Sequence, residues 1–174
     1  MKNVFRTLLV MLALFSFLPT KAQEDSVVVV KKPKFTSDTL FTIMSAERIL
    51  GQSAFMHERR SVKSGTNRLY QSGYTAFQKD NGVNGSVYYL LEQYNDELSA
   101  HQYYIDTRNA NAKNGIKVLT YVGSEAYFQS DNGHFYFIMI RKGNKVFNMK
   151  VNKITSHTSL AEFNKVAREI AEAL

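Results

Sequence analysis

The chain has 174 residues, a formal charge of +7, ten tyrosines, twelve phenylalanines, no tryptophan and no cysteine. Without cysteine it cannot be a disulfide scaffold or carry a thiol nucleophile, and no lipid can be attached through a cysteine after the apolar N-terminal run. Removing residues 1–22 leaves 152 residues and a charge of +4, because Lys2, Arg6 and Lys21 leave with no acid; this is an ordinary solubility charge, not the dense basic stripe of a nucleic-acid reader.

The N-terminus reads as a cleavable secretory signal. Lys2 and Arg6 form a positive start, Leu8 to Leu18 an apolar run broken only by Ser16, and Pro19 ends that run. Thr20-Lys21-Ala22 supplies small residues at −3 and −1 of a cleavage site before Gln23. The run is shorter than the roughly 20 residues a spanning helix needs, so no transmembrane segment is expected after cleavage. Residues 23–40 read as a linker or edge segment: Val27 to Val30 is β-prone, but acids, lysines and Pro33 flank it. The basic cluster Lys31-Lys32-Pro33-Lys34 reads as a solvated tether, with contact to anionic lipid or polysaccharide as the sharper alternative.

Residues 41–174 are expected to form a single α+β domain. Ser45 to Leu50 predicts a short helix, with Ser45 as N-cap, Gly51 just past its end, and Met44, Ile49 and Leu50 toward the core. Ala54 to Val62 is a candidate strand. Arg68 to Gln78 alternates, with Tyr70, Ser72, Tyr74 and Ala76 on the expected core side. Asn81-Gly82 and Asn84-Gly85 accept the left-handed conformations of a hairpin turn, and Ser86 to Tyr94 returns as the next strand. A helix follows to about Ala112, capped by Asn95 or Asp96, with a stripe at Leu98, Ile105 and Ala112 beside His101 and Tyr104.

Further strands are expected at Ile116 to Tyr121, Tyr127 to Ser130, Phe135 to Arg141 and Lys145 to Val151, with turns at Val122 to Ala126, Asp131-Asn132-Gly133 and Gly143-Asn144. Phe135 to Arg141 (FYFIMIR) is apolar on both faces and reads as a central strand covered on both sides. Ser159 and Glu162 form a capping box, followed by a stripe of Leu160, Phe163, Val166, Ala167, Ile170 and Leu174. This helix is expected to dock on the sheet face that includes Phe147, Met149 or Val151. Hairpin-length connections favour antiparallel pairing, so the expected fold is α+β: an antiparallel sheet built from hairpins, with helices on one face, including a C-terminal helix.

Motifs for chemistry are missing. The histidines His57, His101, His134 and His157 lack the close spacing of zinc ligands, and neither a Gly-x-Ser-x-Gly elbow nor a phosphate loop occurs. No metal and no cofactor is expected. Tyrosine is the one unusual abundance. Strands favour aromatic residues as core anyway, but an aromatic-lined groove for an apolar ligand, sugar or peptide would use Tyr70, Tyr74, Tyr89, Tyr104 and Tyr127.

Val122 to Phe128 (VGSEAYF), Arg141 to Val146 with its Gly-Asn turn, Leu50-Gly51 ending an early helix, and the closing helix together carry a resemblance. The chain resembles small exported α+β domains of uncharacterised families, the PsbP-like and mycobacterial sensor-type extracytoplasmic domains. That resemblance implies a periplasmic or secreted binding or accessory module and carries over no catalytic residue. The expected function is therefore a non-catalytic module of the cell envelope, with an envelope protein, a glycan or a small apolar ligand as partner. Two other classes stand beside it: a hydrolase or metal-dependent enzyme drawing on His57, His101 and Glu125, and a structural subunit of an envelope assembly.

Overall fold

The computed structural model describes residues 40–174. The expected signal peptide and the Val27 to Val30 segment lie outside the described residues.

The first helix whose full span lies among the described residues, α1, spans Ile43–Leu50 and starts earlier than Ser45 would set it, because Thr42 takes the capping role: its Oγ1 accepts the Ser45 N–H at 3.4 Å. This start turns Ala46, Ile49 and Leu50 inward and leaves Met44 71% exposed, against the expectation that Met44 faces the core. Gly51 ends the helix at φ +67°, its N–H donating to the Glu47 carbonyl at 2.8 Å. A Cβ on Gly51 would sit 2.2 Å from the His157 carbonyl oxygen, so no other residue fits there without moving backbone.

Seven antiparallel strands form one sheet: β1 (Ala54–Ser64), β2 (Asn67–Ala76), β3 (Ser86–Gln93), β4 (Ile116–Leu119), β5 (Glu125–Ser130), β6 (Phe135–Lys142) and β7 (Lys145–Asn152). The spatial order is β1-β2-β3-β7-β6-β5-β4. Two meanders, β1–β3 and β4–β7, therefore meet where β3 pairs with β7, Val87 opposite Val151 and Leu91 opposite Phe147. The connection between the meanders is α2 (Glu97–Asn111), capped by Asp96, whose carboxylate accepts the Ser99 N–H at 2.7 Å. The chain closes with α3 (Leu160–Ala173).

The α+β class, the antiparallel sheet and the C-terminal helix match the sequence expectation. The placement of helices on one face does not. Alternate residues along β5 and β6 enter two separate clusters: Ala126, Ile138 and Ile140 pack with Ile49, Leu50, Phe163 and Ile170 from α1 and α3, whereas Tyr127 and Met139 pack with Ala100 and Tyr104 from α2. The helices thus divide between the two faces. The physical reason is already visible in FYFIMIR: a strand apolar on both sides needs cover on both sides.

The stripe expected on α2 is also corrected. Leu98 is 75% exposed, and the buried residues are Ala100 and Tyr104, four apart. The helix is polar around most of its surface, so the small Ala100 and the large ring of Tyr104 decide which side goes down. On α3 the core stripe is Phe163, Val166, Ala167, Ile170 and Ala171, in the same cluster as Phe147, Met149 and Val151, while Leu160 is 39% exposed. Half of the expected capping box forms: Ser159 Oγ accepts the Glu162 N–H at 3.1 Å. The reciprocal half does not, because the Ser159 N–H donates to the Ile49 carbonyl at 2.8 Å. Glu162 is thereby free to accept from Arg48 Nε at 2.7 Å, and Glu169 takes the rest of that guanidinium at 2.9 and 3.1 Å. These contacts tie α1 to α3.

Candidate functional site

The five tyrosines expected to line a groove are all interior. Tyr70, Tyr74 and Tyr89 belong to the core under α1 and α3, where Phe41 packs edge-on to Tyr74 at 5.6 Å and stacked on Tyr89 at 5.3 Å. Tyr104 and Tyr127 lie on the opposite face, with ring centroids 5.8 Å apart. Divided by the sheet and sealed from solvent, the five do not share a groove open to a ligand. Burial pushes the Tyr89 phenol up, and burial reinforced by Glu125 pushes Tyr104 up to about 12, so both stay protonated.

Of His57, His101 and Glu125, two meet. His101 Nδ1 lies 2.8 Å from Glu125 Oε2, and the Arg141 Nε–H donates to the same oxygen. Burial opposes ionisation of Glu125, but His101 and Arg141 together hold it below the usual carboxylate range. His57 is elsewhere: it sits at a bulge in β1, five strand positions from β5, about 24 Å away at roughly 4.8 Å per strand. There its ring covers Gly73, with Nδ1 2.9 Å from Thr75 Oγ1. Among the described residues, no three His, Asp or Glu side chains gather closely enough to hold a metal ion.

A cleft lies at one end of the sheet. Three chain reversals converge there: the β2–β3 turn at residues 80–84, the β5–β6 turn at residues 131–134, and the segment after β7 at residues 153–156. They enclose a cavity of about 670 Å³, with Val83, Phe135 and Ile154 as apolar wall and Lys150, Lys153 and His134 as polar wall. Drug-sized ligands occupy clefts of about 300–1,000 Å³.

The turns around the cleft are built by their own acids. Asp80 Oδ2 accepts the Ser156 N–H at 2.6 Å, which ties the first reversal to the third. Asp131 Oδ1 accepts the N–H groups of His134 at 2.8 Å and of Gly133 and Phe135 at 3.2 Å, and its Oδ2 lies 2.7 Å from His134 Nδ1. Led by the backbone donors of Ser156 and His134 respectively, these bonds hold Asp80 and Asp131 below the usual carboxylate range. Both acids are thus occupied. Lys150 Nζ stands 5.7 Å over the Phe135 ring, and among the described residues neither Lys150 nor Lys153 has a carboxylate partner.

Backbone strain concentrates at the same end. Among the described residues, the non-glycine positive φ angles belong to Asn81 (50°), Asn132 (62°) and Lys153 (61°). Asparagine tolerates this conformation; lysine does not, and the left-handed region costs such a residue roughly 1–2 kcal/mol. At the far end of β2 a smaller cleft of about 240 Å³ is lined by Arg60, Arg68, Leu69, Glu92 and Tyr94, and Glu92 Oε2 is buried there without a hydrogen-bond partner.

Comparison with protein-family models, with curated proteins and with solved structures found no match. The larger cleft was only half legible beforehand. The Asn-Gly dipeptides mark two of its three reversals, and strand alternation puts Lys150, between the inward Met149 and Val151, on the other face of β7. Nothing in the sequence marks Lys153, because lysine is the wrong residue type for the turn it makes.

Proposed function

We propose that this chain is an exported, non-catalytic binding module of the cell envelope, and that its ligand occupies the cleft between residues 80–83, 133–135 and 150–156. The observation that supports this reading is the cleft itself: about 670 Å³ of space with an apolar wall and a few convergent polar groups, held open by turns whose acids are already bonded. Export rests on the N-terminal pattern, and the module class on the lack of any nucleophile, metal or phosphate motif in the sequence. The enzyme class loses support from the separation of His57 from the His101–Glu125 pair.

A small-ligand and glycan panel, read by thermal shift and by amide chemical-shift mapping, tests the cleft. At least one compound is expected to raise the melting temperature and to shift Val83, Phe135 and Ile154, since a ligand that binds only the native state stabilises it. Stabilisation by none, with those signals unmoved, overturns the reading. N-terminal sequencing of the secreted product tests export, with Gln23 expected as the first residue.

A further inference from the structure

The cleft has a charge asymmetry that its own fold does not resolve. Asp80 is the one carboxylate among its lining residues and is held ionised by the Ser156 N–H, while Asp131 stands outside the lining and holds the β5–β6 turn through the N–H groups of Gly133, His134 and Phe135. The two lysines that line it, Lys150 and Lys153, outnumber that carboxylate, and among the described residues neither forms an ion pair with one. Lys150 lies over Phe135, so the flat apolar surface and one ammonium are already next to each other. Lys153 carries the second ammonium from a left-handed backbone position, φ +61°, that glycine or asparagine would occupy more easily. A residue held in an unfavourable conformation at the lip of a cleft points to a use for its side chain.

We propose that the cleft selects ligands with an apolar body and one anionic group, and that Lys153, with Lys150, reads the anion. This rests on the cleft being the binding site. The apolar body packs against Val83, Phe135 and Ile154 while the anion sits between the two ammonium groups. Carboxylate, sulfonate and phosphate share this chemistry. Lysine recognises them as a point charge without the fixed fork of arginine, so charge rather than headgroup geometry decides affinity.

Two fluorescent probes with the same ring system test it on the chain from Gln23 onward: 8-anilinonaphthalene-1-sulfonate, which is anionic, and N-phenyl-1-naphthylamine, which lacks the sulfonate. The sulfonate is expected to bind at least tenfold more tightly, with an affinity that falls as salt is raised. Lys153→Asn and Lys150→Gln each weaken it about five- to tenfold and leave the neutral probe within twofold. Lys153→Asn relieves the backbone and melts no lower than wild type, so its loss of binding is not a loss of fold. Phe135→Ala weakens both probes. Decanoate and decyl phosphate displace the sulfonate probe, and decanol does not; displacement by one of the two acids alone narrows the anion to that class. Equal affinity for both probes, or a preference that survives both lysine substitutions, overturns the anion reading and leaves the cleft as a neutral apolar site. If neither probe binds and the Val83, Phe135 and Ile154 signals stay in place, the cleft reading and this inference fall together.

Discussion

The helix-covered face of the sheet and its turn end obey opposite rules. Under α1 and α3, Phe163, Val166, Ile170, Phe147 and Met149 are buried in one continuous core. At the turn end, three non-glycine residues hold positive φ angles, two acids bond backbone donors, and two lysines have no carboxylate partner among the described residues. The first region is where stability is made. The second retains features that work against stability. The contrast is useful because it gives substitutions of opposite sign.

The largest effect is expected in the covered core. Phe163 is fully buried, with its ring 6.5 Å from Phe128 and 5.9 Å from Tyr136. Phe163→Ala should destabilise by about 3–5 kcal/mol, or roughly 10 °C in melting temperature at about 3 °C per kcal/mol for a domain of this size. A shift within a degree of wild type would mean that α3 is not docked through this stripe. Ser159→Ala, which removes the helix cap, should cost about 0.5–2 kcal/mol in the same measurement. The order Phe163 above Ser159 is itself the check: reversal would place the stability of α3 in its cap rather than in its core contacts.

The same contrast explains what the sequence made legible. Burial against a core is encoded by periodicity. Hence α3, the Tyr70–Tyr74 face of β2 and the Phe147–Met149–Val151 face of β7 were all readable. The α2 stripe was not, because a largely polar helix offers no dominant period and Tyr104 outweighed Leu98. The two-sided apolar pattern of β6 already required cover on both faces, and assigning every helix to one face ignored it. The tyrosines fail as a groove for a related reason: the alternation that makes Tyr70 and Tyr74 core residues removes them from the surface a ligand could reach. The cleft is built from chain reversals that meet only in three dimensions, and Lys153 contradicts its local preference, so neither is written in any window of sequence.

Lys153→Asn runs the contrast the other way. Asparagine is the non-glycine residue best suited to φ +61°, so the substitution should stabilise the fold by about 0.5–1 kcal/mol, a part of the 1–2 kcal/mol that the left-handed conformation costs lysine. Thermal unfolding should show a rise of a few degrees at most. A fall would mean that the lysine side chain contributes to the fold itself, and the distinction between a stabilising core and a strained turn end would lose its clearest example.

The smallest effect is local and depends on pH. Asp131 accepts from the backbone of His134, Gly133 and Phe135, and these bonds hold its carboxyl below the ordinary value of 3.8. A depressed carboxyl contributes stability that is fully present above its unfolded pKa and is lost as the pH falls through the folded one. The turn should therefore keep its structure from neutral pH down through the ordinary carboxylate range and loosen only below it. Asp131 is exposed to solvent, so the global unfolding midpoint should scarcely register this titration. The amide signals of Gly133, His134 and Phe135 should register it, moving together at a pH below 3.8. In Asp131→Asn the low-pH movement should disappear while the core signals of Phe147 and Met149 stay in place. If the three amides move at an ordinary carboxylate pH instead, Asp131 is not bonded as described, and the turn that frames the cleft is held by something other than its own acid.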